Sequence, residues 1–337
     1  MYLVSVIPIT KQPLNDELSY YSRHQFPTGS VITVPLRKRL IDGLVTSCSE
    51  VSDAKSTIRR ADFSLQKITT KKHRFIVRPE CMEAVEKMST YYASSLGTTL
   101  FAVLPSAIRS DTKHTHAKLE KKQHTTRYES LMLQAPLVAR AEEYRNTIRG
   151  LFAKKQSVFV VVPTIHEVGR LSTLLSRGIE HYLFTLHSGY TKKQQQERWE
   201  EIRKTTHPIV VIMTGSFLTL PRTDLGAIII EREQTSSYKA QTKPYIDTRQ
   251  FAEALAQAYD ITLIRCDLPL SVETMHAYTK QTCDALKDIP TRLIKGPRYK
   301  TIDMRTPQTG ERDRKPVVTS ISRELFDALS TTLGACE

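Results

Sequence analysis

The chain has 337 residues, of which 40% are hydrophobic, and a formal net charge of +14 at pH 7. This length favours two domains, and the charge favours nucleic acid as a partner, although a merely solvated basic surface has the same composition. The composition argues against membrane spans, because no run approaches the roughly 18 apolar residues required. It also argues against a disulfide framework and a structural zinc site, because five cysteines are scattered without a CxxC pair.

Residues 1–108 are predicted to form a small β-rich domain closed by a helix. Two apolar runs, Ser30–Leu36 and Leu40–Ser47, are typical of strands that pair around a short turn. A helix is predicted to open at Pro79, since proline suits a first helical turn. The turn between the strands carries three adjacent cations, which suit phosphate contact but equally suit an exposed turn kept soluble by charge: Arg37, Lys38 and Arg39.

Residues 109–130 are predicted to form a basic linker, because six Lys and Arg residues outnumber three acidic ones in a polar, Thr-rich segment. The segment contains His114, His116 and His124. A mobile segment of this composition does not fix the tetrahedral geometry of a metal site, so we expect no metal there. Phosphate contact is a second role open to it.

Residues 131–290 are predicted to form one α/β lobe with a parallel sheet, because short apolar runs alternate with helical patterns. Their spacing does not separate a lobe of the RecA type from a generic doubly wound domain. The predicted strands are Val158–Pro163, Tyr182–Leu186, Ile209–Met213, Ala227–Ile230 and Ile261–Ile264.

Four polar residues follow the predicted strand Ala227–Ile230: Glu231, Arg232, Glu233 and Gln234. In open α/β sheets, ligands bind at the carboxyl ends of the strands. In nucleic-acid motors an acidic pair at this place holds Mg²⁺ and polarises the attacking water. Here the second residue of the pair is an arginine, which adds positive charge and cannot act as a base. The pattern therefore indicates an ATPase site that no longer works.

Several motifs resemble the family of primosomal protein N′, PriA, whose members are replication-restart helicases of superfamily 2. The specific ones are LHSG at Leu186–Gly189 and SSYK at Ser236–Lys239, with VVVPTI at Val160–Ile165 and LPLSVET at Leu268–Thr274 in support. The N-terminal segment TGSVITVPL, Thr28–Leu36, is similar to the family's 3′-DNA-binding domain. The resemblance covers most of the chain and implies that domain followed by the first helicase lobe.

The departures from the family concern the nucleotide. Its glycine-rich phosphate loop corresponds to Gln134–Tyr144, which has no glycine or lysine, and the arginine of another family motif corresponds to Gly215. The family's zinc cysteines and second lobe are absent, so residues 291–337 are expected to extend towards a missing lobe. We therefore expect no ATP, Mg²⁺ or zinc in a degenerate, truncated form of the family. The remnants are Glu231 and Glu233 at the catalytic motif and Ala135 and Arg140 at the phosphate loop.

The resemblance also implies positions that contact DNA. In the N-terminal domain, Tyr20 or its neighbour Tyr21 is expected to stack on a base, unless one of the two packs in the core. The full set of expected DNA contacts is Ser19, Tyr20, Gly29 and Lys67, the hairpin cations Arg37, Lys38 and Arg39, and Thr214, Ser216 and Lys239 in the lobe.

The preferred hypothesis is a PriA-like DNA-binding protein of the primosome and replication-restart type, without ATPase or helicase activity. The alternative is an ATP-dependent DNA helicase with a diverged site or a second lobe supplied by another polypeptide. A third hypothesis is a scaffold that recruits replisome proteins. We expect forked or single-stranded DNA as the partner, with a 3′ end and replisome or primosome proteins as further partners. The start of the chain lacks a secretory signal pattern, so the expected location is the bacterial cytoplasm, in association with the nucleoid.

Overall fold

The structure, a computed structural model, describes residues 1–12, 14, 17–37, 39–50, 65–110, 127–288 and 323–334. The chain divides into one compact unit from Met1 to Pro290 and a second from Thr291 to Glu337. Most of the predicted linker, with its three histidines, lies outside the described residues, as does Lys38.

The N-terminal part of the first unit is a five-stranded sheet. Its strands are β1 (Tyr2–Pro8), β2 (Leu18–Ser22), β3 (Val31–Leu36), β4 (Arg39–Glu50) and β5 (Gln66–Lys67), in the order β3-β4-β1-β2-β5. All neighbours are antiparallel except β2 and β5. Alternate side chains of β1, Val4 and Val6, are buried on one face, as expected where one face of a strand covers a core. The predicted hairpin of β3 and β4 is confirmed.

Three helices follow this sheet: α1 (Pro79–Tyr91), α2 (Leu96–Val103) and α3 (Ser106–Arg109). Helix α1 begins at the predicted proline. Helix α2 begins after Ser95, whose side chain accepts a hydrogen bond from the Thr98 N–H. It also lies close against β1, because a Cβ at Gly97 would be 2.0 Å from the carbonyl oxygen of Pro8. The glycine is what permits this approach.

The lobe has the predicted alternation of strands and helices. Its elements are β6 (Glu129–Gln134), α4 (Leu137–Ala153), β7 (Ser157–Val162), α5 (Ile165–Leu175), β8 (Leu183–Leu186), α6 (Lys192–Lys204), β9 (Val210–Thr214), β10 (Leu225–Glu231), α7 (Thr248–Tyr259), β11 (Thr262–Asp267), α8 (Val272–Thr279) and β12 (Asp284–Ala285). The strands form one parallel sheet in the order β12-β6-β11-β10-β7-β9-β8. The predicted fold class, a small β-rich domain and one parallel-sheet lobe, is confirmed.

Helices cover both faces of the parallel sheet. Residues of α4 and α5 pack on one face and residues of α6 and α7 on the other, so the central strands β7 and β10 are buried along their whole length. This double burial explains why both read as continuous apolar runs in the sequence.

A single hydrophobic cluster joins the N-terminal helices to the lobe. It contains Cys81 and Val85 of α1, Leu100 of α2, Trp199 of α6 and Phe251 of α7. Polar contacts accompany it: the Tyr92 hydroxyl accepts a hydrogen bond from the Asp247 N–H at 2.9 Å and donates to Gln250 at 2.5 Å. The N-terminal helices and the lobe therefore share one core.

The described residues of the second unit form helix α9 (Arg323–Gly334). Its side chains Leu325, Phe326 and Leu329 are exposed. The predicted extension 291–337 otherwise lies outside the described residues.

Candidate functional site

The carboxyl end of β10 is closed by a buried ion pair. Glu231, fully buried, accepts hydrogen bonds from Arg140 at the start of α4: Nε to Oε2 at 3.1 Å and Nη2 to Oε1 at 2.5 Å. The Tyr144 hydroxyl, one turn further along α4, donates to the same Oε2 at 2.5 Å. The catalytic-motif remnant Glu231 and the phosphate-loop remnant Arg140 are therefore partners of each other.

The guanidinium of Arg140 donates from all three of its nitrogens to groups of the protein itself. Arg140 Nη1 donates to the carbonyl oxygen of Ala135 at 2.7 Å, so three of its donor groups are used within the protein. Burial alone would lower the pKa of Arg140, but the hydrogen bonds and charge of Glu231 raise it above its usual value. Burial raises the pKa of Tyr144 well above 10.0, so its hydroxyl stays a donor. Arg140, a remnant of the degenerate phosphate loop in the sequence, is thus a fixed counter-ion of Glu231.

The residues present do not fit a nucleotide triphosphate or its Mg²⁺. Both Glu231 oxygens already accept hydrogen bonds, and the next residue, Arg232, adds a cation in left-handed backbone conformation with φ 52°. Its guanidinium pairs with Glu167 at 3.0 Å. Helix α4 begins after Pro136, which has no N–H to offer an anion, and Ala135 beside it is buried.

Glu233, the second acidic remnant, holds Ser271, the N-cap residue of helix α8. Its Oε1 accepts from the Ser271 N–H at 2.5 Å and its Oε2 accepts from the Ser271 hydroxyl at 3.0 Å, immediately before α8. The carbonyl oxygen of Glu233 accepts from Arg249 at 2.7 Å. These contacts give Glu233 a structural role at the edge of the sheet where open α/β folds bind ligands.

The expected DNA contacts of the lobe lie at the same edge of the sheet. Thr214 ends β9, and its hydroxyl is 3.5 Å from that of exposed Ser216. Lys239 is exposed after a short 3-10 turn, Ser236–Tyr238. The buried Tyr238 hydroxyl donates to the carbonyl oxygens of Val161 and Glu231, so the SSYK segment is anchored to the ends of β7 and β10.

The N-terminal positions divide between the two faces of their sheet. Tyr20 is buried, and its hydroxyl donates to the carbonyl oxygen of Pro35 at 2.9 Å, so its ring packs in the core and is not available to stack on a base. Ser19 and Tyr21 lie on the other face because side chains alternate along a strand. Exposed Lys67 pairs in register with Tyr21. Of the two tyrosines, Tyr21 is the one beside predicted contacts.

The predicted hairpin cations lie at an exposed tip. Arg37, with φ 55°, follows β3, and Arg39 begins β4; both are exposed. Gly29, with φ 82°, lies at the turn before β3, where left-handed backbone favours glycine. In the strand order, the hairpin of β3 and β4 lies at one end of the sheet and β5, which carries Lys67, at the other.

Residues 6–105 match the family model of the PriA 3′DNA-binding domain. Replication restart protein PriA of Helicobacter pylori strain 26695 is 26% identical over 262 residues, which cover 73% of this chain and 40% of the relative. PriA of Rickettsia conorii is 27% identical over 271 residues, with 74% and 40% covered. The resemblance to the PriA family is confirmed.

The chain spans about 40% of the length of these PriA relatives. PriA of Rickettsia prowazekii matches over 90% of this chain and 48% of its own length, at 24% identity. Among solved structures, the C-terminal domain of S. cerevisiae Dbp5 overlays with a TM-score of 0.36 at 10% identity, covering 47% of this chain and 89% of that domain.

Sequence reasoning on the PriA-like motifs missed Tyr144 as a partner of Glu231. Tyr144 lies four residues after Arg140, a spacing that places both side chains on one face of a helix, and this spacing was the only local signal of the contact.

Within the described ranges, no group of three or more His, Cys, Asp or Glu side chains could hold a metal ion. No helix there is long and apolar enough to cross a membrane.

Proposed function

We propose that the chain is a DNA-binding protein of the replication-restart type, PriA-like, that neither hydrolyses ATP nor separates strands. The observation that carries the DNA-binding proposal is the match of residues 6–105 to the PriA 3′DNA-binding domain. The net charge of +14 supports it, because neutralising phosphates releases counterions from DNA. Replisome or primosome proteins as partners, and association with the nucleoid, stay predictions.

The proposed loss of ATP hydrolysis rests on the Arg140–Glu231 pair. A motor of this class needs a carboxylate free to hold Mg²⁺ and a nest of backbone N–H groups for the phosphates. Here the carboxylate is occupied by Arg140 and Tyr144, and the backbone before α4 includes a proline. Opening the pair to admit a triphosphate would leave two buried charges without partners, which costs several kcal/mol.

The DNA-binding proposal is tested by titrating labelled forked, single-stranded and blunt duplex DNA at two salt concentrations. We expect the affinity to fall by about tenfold or more between 50 and 200 mM salt. The double variant Arg37→Ala, Arg39→Ala and the variant Lys67→Ala should bind more weakly and lower the slope of log affinity against log salt. Lys154→Ala is the matched control, because Lys154 is equally exposed but lies at the amino edge of the lobe sheet. An affinity that does not change with salt would contradict the proposal.

The loss of hydrolysis is tested by measuring phosphate release with and without forked DNA. We expect the wild type and Glu231→Gln to release phosphate at the same background rate. Glu197→Gln, at an exposed position on α6, controls for the change of charge. A DNA-stimulated rate in the wild type that Glu231→Gln abolishes and Glu197→Gln retains would establish the helicase alternative instead.

A further inference from the structure

Three side chains form a stacked column between β8 and α6. The rings of His187 and Tyr190 lie nearly parallel, 23° apart, with centroids 4.0 Å from each other. The guanidinium carbon of Arg198 is 4.4 Å from the centroid of the same Tyr190 ring. Tyr190 is the common member, because its ring contacts both the His187 ring and the Arg198 guanidinium. All three residues are half-buried, so parts of the column remain open to solvent.

The column is held rigidly from several sides. The Tyr190 hydroxyl is hydrogen-bonded to Thr185 at 2.8 Å, and the Tyr190 carbonyl oxygen accepts from Gln195 at 2.7 Å. His187 Nδ1 accepts from the Gly189 N–H at 3.2 Å, which leaves the ring proton of the neutral imidazole on Nε2. The loop is therefore pre-organised, and a ligand that stacks on it would not have to order it.

The column stands beside two hydroxyl groups at the carboxyl edge of the sheet. Leu186 of β8 pairs with Met213 of β9, so the next residues, His187 and Thr214, end neighbouring strands at the same level. The Thr214 hydroxyl is 3.5 Å from that of Ser216. An aromatic ring next to hydroxyl donors is an arrangement that meets a base and its phosphate together.

Internal packing alone does not account for the column. Arg198 has no ion pair among the residues that the structure describes, and its guanidinium lies on the ring as a cation–π contact. The lobe has a second His–Tyr contact, His207 with Tyr182, at the amino edge. There the centroids are 5.3 Å apart and the rings are tilted by 40°, the looser geometry of side chains that merely touch.

We propose that the His187–Tyr190–Arg198 column is a stacking site for an unpaired base of a single DNA strand, with Thr214 and Ser216 donating to the adjoining phosphate. The strand is single because the bases of a duplex already stack on each other and offer no free face within it. Every base has such a face, so the site is expected to be tolerant of sequence. This inference rests on the proposed DNA-binding function and locates part of it in the lobe.

The test compares His187→Ala with His207→Ala, the same substitution at the opposite edge of the same sheet. Oligothymidine and a blunt duplex of equal length are titrated against each full-length variant. We expect His187→Ala to weaken single-strand binding by about tenfold and duplex binding by less than twofold, since aromatic stacking contributes chiefly with unpaired bases. His207→Ala should match the wild type on both. A strand containing 2-aminopurine should lose fluorescence on binding the wild type and lose less on binding His187→Ala.

Two further variants guard against misfolding as the cause. Arg198→Lys keeps the charge but loses the planar group and should weaken single-strand binding. Arg149→Lys, the same change at an exposed position of α4, should bind like the wild type. Equal single-strand affinity for His187→Ala and His207→Ala would overturn this inference while leaving the proposed function intact. No salt-sensitive binding of any DNA by the wild type would defeat the proposed function itself.

Discussion

Arg140 and Glu231 show how two side chains remote in the sequence decide what one edge of a sheet can bind. The carboxylate is at the last residue of a fully buried strand, where water does not reach it, and it is compensated by one guanidinium and one hydroxyl. Such a pair stabilises the fold little compared with apolar packing, yet removal of one partner leaves the other charge buried. Loss of either partner is therefore expected to cost more stability than the intact pair contributes.

Arg140→Ala is expected to lower the free energy of unfolding by about 3–5 kcal/mol, because it leaves the Glu231 carboxylate buried without its cation. Urea denaturation followed by far-UV circular dichroism measures the change. Arg149→Ala, at an exposed position of the same helix, should change stability by less than about 0.5 kcal/mol. In a double-mutant cycle, the loss in the Arg140→Ala, Glu231→Ala variant should be smaller than the sum of the single losses. Additive losses would show that the pair is not coupled.

His187 is expected to titrate below its usual pKa of 6.5, because burial lowers the pKa and the charge of Arg198 lowers it further. In the pH range between the lowered pKa and 6.5, the unfolded chain binds more protons than the folded one, so stability falls as the pH falls through this window. An NMR titration of the His187 ring protons measures the pKa directly. Arg198→Gln should move it towards 6.5, and no movement would remove Arg198 as a cause.

At the scale of elements, much of the fold could be predicted because its strands are buried on both faces. The continuously apolar runs that end at residues 162, 213 and 230 lie in strands β7, β9 and β10. Strand β6 was missed, and the last two residues of the predicted linker, 129–130, belong to it. Its sequence, Glu129–Gln134, mixes polar ends with a short apolar centre. Helix α8 was missed although its start carries a local signal: Ser271 is its N-cap and accepts a hydrogen bond from the Thr274 N–H at 3.2 Å.

The candidate site could be predicted only in part, because some of its contacts join residues that are far apart in the sequence. The edge of the sheet and the residues after β10 follow from local pattern, and so does the absence of glycine and lysine from residues 134–144. The Arg140–Glu231 bond joins residues 91 positions apart, and no local pattern reports it. The burial of Tyr20 instead of Tyr21 depends on the register of β2 in its sheet, which fixes the face of every side chain on the strand.

The turn after β9 lies directly against the start of α7. A Cβ at Gly215 would be 2.4 Å from Cγ2 and 2.6 Å from Oγ1 of Thr248. Gly215→Ala is therefore expected to lower the free energy of unfolding by about 1–3 kcal/mol, as overpacking does. Thr248→Ala in the same chain should recover part of the loss, because it removes both of these atoms. Thermal denaturation measures both variants.

Gly150→Ala is the control for that change, since a Cβ at Gly150 would meet no atom within 4 Å and the residue lies in helix α4. Replacing a helical glycine there should raise stability by about 0.5–1 kcal/mol. Equal effects of the two alanine substitutions would show that the contact with Thr248 does not decide the first.

At the scale of the whole molecule, the shared core predicts that residues 1–290 unfold together. Cys81 of α1 and Trp199 of α6 belong to one hydrophobic cluster and are both buried. Their exposure should therefore occur at the same urea concentration. Trp199 is the single tryptophan, so its fluorescence reports the lobe, and pulsed thiol labelling with mass spectrometry reports Cys81. Labelling of Cys81 while Trp199 remains native would mean that the N-terminal helices open on their own.

The buried Arg140–Glu231 ion pair at the end of β10 also limits which substitutions evolution can accept at these two positions. Freeing the Glu231 carboxylate requires the Arg140 guanidinium to leave, yet any descendant that loses Arg140 first carries an unpaired charge in its interior. A descendant that loses the Glu231 carboxylate first leaves the Arg140 guanidinium buried without its counter-ion. Either intermediate folds less well than its parent, so selection meets a barrier in both directions. A substitution at either position is therefore expected to be accepted only together with a compensating change at the other.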